Sequence, residues 1–417
     1  MVVRDDLILL DTGSTIIKGL RFGPGDKVES YFRTRDKGGV SEQAIPLMDK
    51  MKGDRPASVT RICSSANGGL NIGVLCLSIR ISGNITMRVL ESVGANIRYM
   101  VTWDKAAGVE DQLPVDMLII VGGIDAFPWR KAANQFQNID LKPFTFDRLI
   151  YAGHRHMVEA ARAKWSEITI LENMLTHSLK PANDQLPTTI RDGYLEDIQS
   201  KREILPLQEY SELAIAPTPA VVSRSFARLQ TRFLTPAVLF DIGGATTDLH
   251  FTRELLDDRL VDCGSSAYPE TARHVYTAFG VSASRHSTLR ALVADHHCGD
   301  LLYEIYGDAH RTIYAELLED AVEVKLLFVA CIFLVLRNIV DRRDGSPSLN
   351  LGQIATIALT GGASQLIGEA EIQATFRAVF GRETHAEIAI DRDYRWWTLG
   401  LLKQDELDES VWKACHV

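Results

Sequence analysis

Short apolar runs that end in glycine turns set the rhythm of this chain. Leu7-Ile8-Leu9-Leu10 reads as a strand, Asp11-Thr12-Gly13-Ser14-Thr15 as a turn, and Ile16 to Arg21 as the returning strand. Gly23-Pro24-Gly25-Asp26 turns again, and Lys27 to Arg33 suggests a third strand. The phrase recurs far downstream. Ala237-Val238-Leu239-Phe240 is a buried strand, Asp241-Ile242-Gly243-Gly244 a tight turn, and Ala245 to Phe251 a second strand. A third glycine turn, Thr360-Gly361-Gly362-Ala363-Ser364, follows the apolar run Ile354 to Leu359. Glycine lets a backbone approach a ligand closely. Successive small residues in such turns can aim their N–H groups into one anion-binding concavity.

Between the two acidic turns the pattern alternates strand and helix. Ser41 to Met51 reads as a helix, Ile62 to Leu70 as a strand ending in a small-residue turn, and Val74 to Ile79 as a strand. Ser82 to Val93 reads as a helix with Ser82 as its N-cap, and Ala95 to Val101 as a strand. Asp116 to Val121 and Arg148 to Tyr151 are strands that run into glycine turns, and His156 to Trp165 continues as a helix. This alternation predicts βαβ units and a parallel sheet. Signals weaken from Asn173 to Leu207, where Ile190 to Ile204 could form an amphipathic helix. Ala220 to Leu229 reads as a helix, as do Arg273 to Phe279 and Ser287 to Ala294. Tyr314 to Val340 reads as one long helical pattern, and Gln365 to Phe380 as a helix. Trp396 and Trp397 read as core packing.

Composition narrows the class. The chain has 417 residues, enough for two or three domains. A formal net charge of −9 argues against a nucleic-acid partner or an anionic membrane surface. The apolar run Leu326 to Leu336 is too short to span a bilayer and reads as a buried helix. Cys63, Cys76, Cys263, Cys298, Cys331 and Cys415 form no C-x-x-C pair. With no signal peptide in Met1 to Asp6, a reduced, cytoplasmic protein is expected.

Two acidic hairpins followed by a strand–Gly-Gly–helix turn resemble the layout of the actin/hexokinase/Hsp70 ATPase superfamily. That resemblance implies an α/β fold of two actin-like (ribonuclease H-like) lobes with an inserted α/β subdomain. The expected division is 1–63 for the start of the first lobe, 64–215 for its remainder plus the insertion, and 216–417 for the second lobe. ATP and Mg²⁺ would sit between the hairpins. Backbone N–H groups of Thr12, Gly13, Ser14 and Thr15, and of Gly243, Gly244, Ala245 and Thr246, would hold phosphates. Asp11 and Asp241 would act on the metal largely through its waters, with Asp11 orienting the attacking water. Gly361, Gly362 and Ala363 would take adenosine. Thr246 and Thr247 add hydroxyls. Lys18 either approaches a phosphate or is an exposed structural lysine. Asp248 reads as a hydrogen-bonding partner of its hairpin, and His154, His156, His296 and His297 as solvated loop residues.

Five motifs resemble one family in order: Ser64 to Leu70, Ile119 to Asp125, Ile150 to Gly153, Pro217 to Ala220 and Asp241 to His250. It is the MutL protein associated with adenosylcobalamin-dependent glutamate mutase, unrelated to mismatch-repair MutL. The resemblance runs from residue 5 to about residue 262, with the Gly361-Gly362 turn beyond it. It implies an ATPase that acts as a reactivating chaperone for a B12 mutase. The first turn departs from the family's usual Asp-Ile-Gly-Ser-Thr-Thr-Thr-Lys: Ile16 and Ile17 stand where two threonines are usual. Ile124-Asp125-Ala126-Phe127 stands where Thr-Asp-Gly-Gly is usual. The alternative is a kinase or ligase that uses ATP on a small-molecule substrate. An iron–sulfur activator would need cluster cysteines, which the six cysteines do not supply.

Overall fold

The computed structural model describes residues 7–13, 15–23, 27–36, 38–53, 59–64, 70–92, 95–108, 114–126, 128–175, 185–200, 204–256, 271–341 and 346–417. Ser14, Phe127, Cys263 and the 65–69 turn lie outside them. The chain forms two compact units, one built on Met1–Ala66, Glu209–Asp257 and Glu270–Val417, the other on Asn67–Gln208 and Asp258–Pro269.

The first unit opens with β1 (Leu7–Thr12), β2 (Ile16–Gly23), β3 (Lys27–Thr34) and β4 (Val59–Ser64). β1 is buried along its whole length, because β2 flanks it antiparallel and β4 parallel. A strand covered on both faces reads as a continuous apolar run. β3, at the sheet edge, alternates exposed and half-buried positions and carries Lys27, Glu29 and Arg33. Charges on an edge strand oppose stray pairing.

The second unit is one parallel sheet of β5 (Asn71–Cys76), β6 (Asn96–Thr102), β7 (Val115–Val121), β8 (Phe146–Tyr151) and β9 (Ile168–Ile170). Its order is β6-β5-β7-β8-β9, with every neighbouring pair parallel. Within the unit this is the doubly wound order 2-1-3-4-5. Ser82 does not cap a regular helix. A π turn, Ile79–Gly83, precedes the helix Asn84–Ser92, and the Ser82 hydroxyl bonds back to Ser78 N and O at 3.1 and 3.0 Å.

The chain then returns to the first unit. β10 (Ala216–Pro217) pairs parallel with β4, and the helix Thr218–Leu229 leads to β11 (Ala237–Ile242) and β12 (Thr247–Thr252). β13 (Thr271–Tyr276) follows, antiparallel to β12, where a helix was expected over Arg273 to Phe279. So short a run carries too few periods to separate helix from strand, and sheet completion decides it. β14 (Thr356–Thr360) and β15 (Glu387–Ile390) finish the sheet, each parallel to its predecessor in space.

The first sheet runs β3-β2-β1-β4-β10 and the second β13-β12-β11-β14-β15. Both consist of an antiparallel three-strand meander extended by parallel strands on the far side. This duplicated, ribonuclease H-like arrangement establishes the two actin-like lobes, with the parallel α/β unit inserted in the chain between them. Leu7, Leu9, Val221, Phe226, Leu239, Ala358, Trp396 and Trp397 share one core, so both tryptophans are packing residues as expected.

The expected long helix is two. His310–Leu318 and Val324–Val340 are separated at Asp320, whose φ is +56°. Arg285 pins that break, bonding Asp320 Oδ1 at 2.5 Å and the carbonyls of Asp320 and Val322 at 3.1 and 2.7 Å. Val324–Val340 is buried almost all round, as an apolar helix without a polar face must be. Among the described residues, no helix is long and apolar enough to cross a membrane. The last predicted helix starts later, at Glu369–Phe380, after Gly368.

Candidate functional site

β1–β2 and β11–β12 are the two acidic hairpins. Asp11 and Asp241 occupy the same place, next to last in a six-residue strand. The tips meet. A Cβ built on Gly244 would lie 3.3 Å from Thr15 Cγ2. A Cβ on Gly361, whose φ is +122°, would collide with the Ile242 carbonyl oxygen and lie 2.9 Å from its carbon. Only glycine permits that approach, and it sets the third glycine turn directly against the second hairpin. A Cβ on Gly362 would meet nothing within 4 Å. The residues predicted as one site therefore converge within the first unit. Ser14 is the exception, lying outside the described residues.

The second tip is shaped by a segment the motifs did not announce. Val281 N donates to Gly243 O at 3.1 Å, Ser282 N to Gly244 O at 2.9 Å, and Ser284 Oγ to Ala245 O at 2.5 Å. A trans peptide places each N–H opposite the preceding carbonyl. With those three carbonyls turned to the 280–284 loop, the N–H groups of Gly244, Ala245 and Thr246 point away from that loop, as an anion-binding turn requires. Gly243 N is not among them, because it closes the turn onto Thr246 O at 2.9 Å. The Thr247 hydroxyl is also committed, to Phe279 O at 3.0 Å in the core. In the first hairpin, Arg35 takes the carbonyls of Thr15 and Gly13 at 2.9 and 3.4 Å. The Thr12 hydroxyl donates to Cys63 O at 3.3 Å and ties β1 to β4.

The two aspartates differ in company. Asp11 is buried, and both its oxygens are engaged. Oδ1 accepts from Thr218 Oγ1 at 2.7 Å and Cys63 Sγ at 3.6 Å; Oδ2 accepts from Lys18 Nζ at 3.2 Å. Lys18 is thus neither exposed nor free: only 13% of its side chain is accessible. Its ammonium also donates to Tyr394 Oη at 2.5 Å and lies 3.8 Å from that ring's centroid. Burial, with the Asp11 charge second, pushes the Cys63 thiol well above its usual range.

Part of Asp241 still reaches solvent, but protein surrounds it closely enough that desolvation pushes its carboxyl up to about 7. The Asp248 charge adds to that push and Lys18 works against it. Asp248 itself is paired with Arg273 Nη2 at 3.0 Å, the structural role expected of it. A carboxylate so poor in positive charge suits a divalent cation delivered with phosphate oxygens. Among the described residues, no group of three or more His, Cys, Asp or Glu is arranged to hold a metal alone, so such a cation would keep waters and phosphate oxygens as ligands.

Thr218, Cys63 and Tyr394 were missed as site residues. Thr218 lay inside a recognised motif, Pro217 to Ala220, which was its one signal. Tyr394 lies 376 residues from Lys18 in sequence. His154, expected in solvent, is buried, and its Nδ1 accepts from His156 N at 3.2 Å.

No curated protein matches the chain. Solved structures similar to it include a ROK family glucokinase from Streptomyces griseus in complex with glucose and AMPPNP. That likeness has 11% identity, 95% of this chain and 97% of that chain covered, and a TM-score of 0.36. Another is the activator of 2-hydroxyisocaproyl-CoA dehydratase from Clostridium difficile with bound ADPNP, at 10% identity, 99% and 98% coverage, and a TM-score of 0.33. A third is component A of the (R)-2-hydroxyglutaryl-CoA dehydratase of Acidaminococcus fermentans, at 7% identity, 95% coverage of both chains, and a TM-score of 0.30. The family model described as MutL protein matches residues 7–317, most of the chain. On that match this chain belongs to the MutL family, the one named for glutamate mutase.

Proposed function

We propose that this chain binds and hydrolyses Mg–ATP and uses it as a chaperone-like reactivating factor for a cobalamin-dependent mutase. The observation that carries the nucleotide reading is the meeting of the two hairpin tips, Thr15 against Gly244, with an aspartate at each strand end. Membership of the MutL family supports the partner class.

The N–H groups of Gly244, Ala245 and Thr246 would take phosphate oxygens from one side, and Thr12, Gly13 and Thr15 from the other. Gly362, open to a ligand, and Ala363 would line the adenosine. Mg²⁺ held near Asp11 and Asp241 would supply charge neutralisation, which with positioning accounts for most of phosphoryl-transfer catalysis. Asp241 takes over the water-orienting role expected for Asp11. Both oxygens of Asp11 are already occupied by Thr218, Cys63 and Lys18.

Only ATP offers a γ-phosphate to both hairpins together, so ATP and ADP would favour different lobe closures. The resulting change in partner affinity cannot exceed the differential binding of nucleotide to the two closures. The test is retention of a purified cobalamin-dependent mutase on the immobilised chain with ATP, ADP or no nucleotide. Retention that differs between ATP and ADP is expected. Failure to bind in all three states, with ATP turnover strictly requiring an added metabolite, would overturn the chaperone reading in favour of a small-molecule enzyme.

A further inference from the structure

Tyr394 has a backbone that a bulky residue rarely adopts, at φ +52°. Such conformations carry a cost and persist where the surroundings over-determine them. Here they do. Tyr394 N donates to Asp391 O at 3.3 Å, and Trp397 Nε1 donates to Tyr394 O at 3.0 Å. The Asp391 carboxylate accepts from Arg395 N at 2.8 Å, Trp396 N at 2.9 Å and Thr360 Oγ1 at 2.8 Å. Ser364 Oγ donates to Asp391 O at 2.6 Å.

Thr360 and Ser364 are the two ends of the third glycine turn. The turn that carries Tyr394 is thus bonded to both of them. At its other end the phenol reaches the first hairpin, where Lys18 Nζ meets the hydroxyl at 2.5 Å and the ring face at 3.8 Å. The ammonium is held between that phenol and Asp11 Oδ2 at 3.2 Å. An ammonium with a carboxylate, a hydroxyl and an aromatic face around it has little freedom to choose another place.

We propose that Tyr394 is a positioning residue: it fixes the Lys18 ammonium at Asp11 and thereby ties the charge of the first hairpin to the glycine turn at Gly361–Ala363. The placement of Lys18 stands on the contacts alone; its consequence for ligand binding rests on the nucleotide reading above. A phosphate that recruits Lys18 must draw it from Asp11, and Tyr394 limits how far it travels. The same contacts give the glycine turn a route to the phosphate end of the site without passing through β11.

Two substitutions separate positioning from plain structure. Tyr394→Phe keeps backbone and ring and removes only the hydroxyl. Tyr394→Gly removes the side chain at a backbone position glycine adopts without strain; the packing it loses against the core lowers stability, and Tyr394→Phe decides the question alone if Tyr394→Gly does not fold. The measurement is trace labelling of lysine amines with acetic anhydride at one fixed pH and without nucleotide. Lys18 is followed by mass spectrometry against the other lysines of the same sample.

Loss of a hydrogen bond to a charged group should raise Lys18 labelling by about tenfold in Tyr394→Phe, and by more in Tyr394→Gly, which loses the ring contact as well. Melting temperatures report any damage to the fold. Labelling of Lys18 that stays at the wild-type rate in both folded variants overturns the proposal. A parallel Mg–ATP titration keeps the two readings apart. If wild-type protein binds no Mg–ATP, the proposed function falls, while the labelling rates still decide the role of Tyr394.

Discussion

In the first hairpin the residue across the strand pair from Asp11 is Lys18; in the second, the residue across from Asp241 is Asp248. The parallel neighbours match as well, Cys63 beside Asp11 and Thr360 beside Asp241. The backbones are equivalent and the charges are not. Asp11 has its counterion built in and is satisfied by three side chains. Asp241 faces a second carboxylate, and desolvation first and that charge second push it up to about 7. Arg273 answers Asp248 but only partly offsets its effect on Asp241. The first hairpin is thus a completed ion pair that holds its shape, and the second is an open demand for positive charge. On the proposed reading, the duplicated fold divides one task into a fixed half and a receptive half.

Breaking the fixed half should have the largest effect on stability. Lys18→Met strands the buried Asp11 carboxylate and should destabilise the protein by about 3 kcal/mol at neutral pH. Denaturant unfolding measures it. A loss below about 0.5 kcal/mol would mean that Asp11 does not depend on its counterion.

Gly361→Ala comes next. Its Cβ has no room against the Ile242 carbonyl, and φ is +122°, so about 2–3 kcal/mol of stability should be lost.

The receptive half should respond to pH with a definite sign. A carboxyl raised to about 7 holds its proton in the folded state, while the unfolded chain releases it near the ordinary value of 3.8. The folded state binds more protons between these values, so this contribution to stability is full at low pH. It is lost as pH rises through about 7. Asp241→Asn stays neutral at every pH and so avoids this loss. At about pH 8 the variant should exceed wild type by on the order of 2 kcal/mol, a figure already discounted for remaining solvent contact, and the gain should vanish near pH 4. A gain of equal size at both pH values would show that the raised carboxyl is not its source.

The smallest stability effect sharpens the reading of the glycine turn. Gly362→Ala meets open space and should change stability by less than about 1 kcal/mol. If adenosine lies there, it should still weaken Mg–ATP binding, so calorimetry and melting should part company for this variant.

The halves of the site were legible in the sequence for local reasons. Asp11 and Asp241 each follow an apolar run and precede glycine within two residues, and a central strand covered on both faces has to be apolar. Contacts across the chain left no such trace. Thr218 meets Asp11 over a separation of 207 residues and Tyr394 meets Lys18 over 376; the Pro217 to Ala220 motif holds Thr218 without pointing to Asp11, and nothing local marks Tyr394 as part of the site. The opposite charges facing Asp11 and Asp241 were visible as residue types, but their meaning needed the strand register. β13 was misread because its few residues fit helix and strand alike. The break at Asp320 was hidden because Arg285, which pins it, comes from another helix. The order of the inserted parallel sheet is likewise set by packing of whole βαβ units, not by any one stretch.

The most direct test of the account is calorimetric titration of Mg–ATP into wild type, Asp241→Ala and Asp11→Ala at one pH near 8. The account predicts measurable binding by wild type and a loss of about a hundredfold in Asp241→Ala, whose melting temperature is not lowered at that pH. Asp11→Ala should lose affinity together with stability, because it also dismantles the pair with Lys18. Undiminished Mg–ATP affinity in a folded Asp241→Ala protein would contradict the assignment of the second hairpin as the receptive half of a nucleotide site.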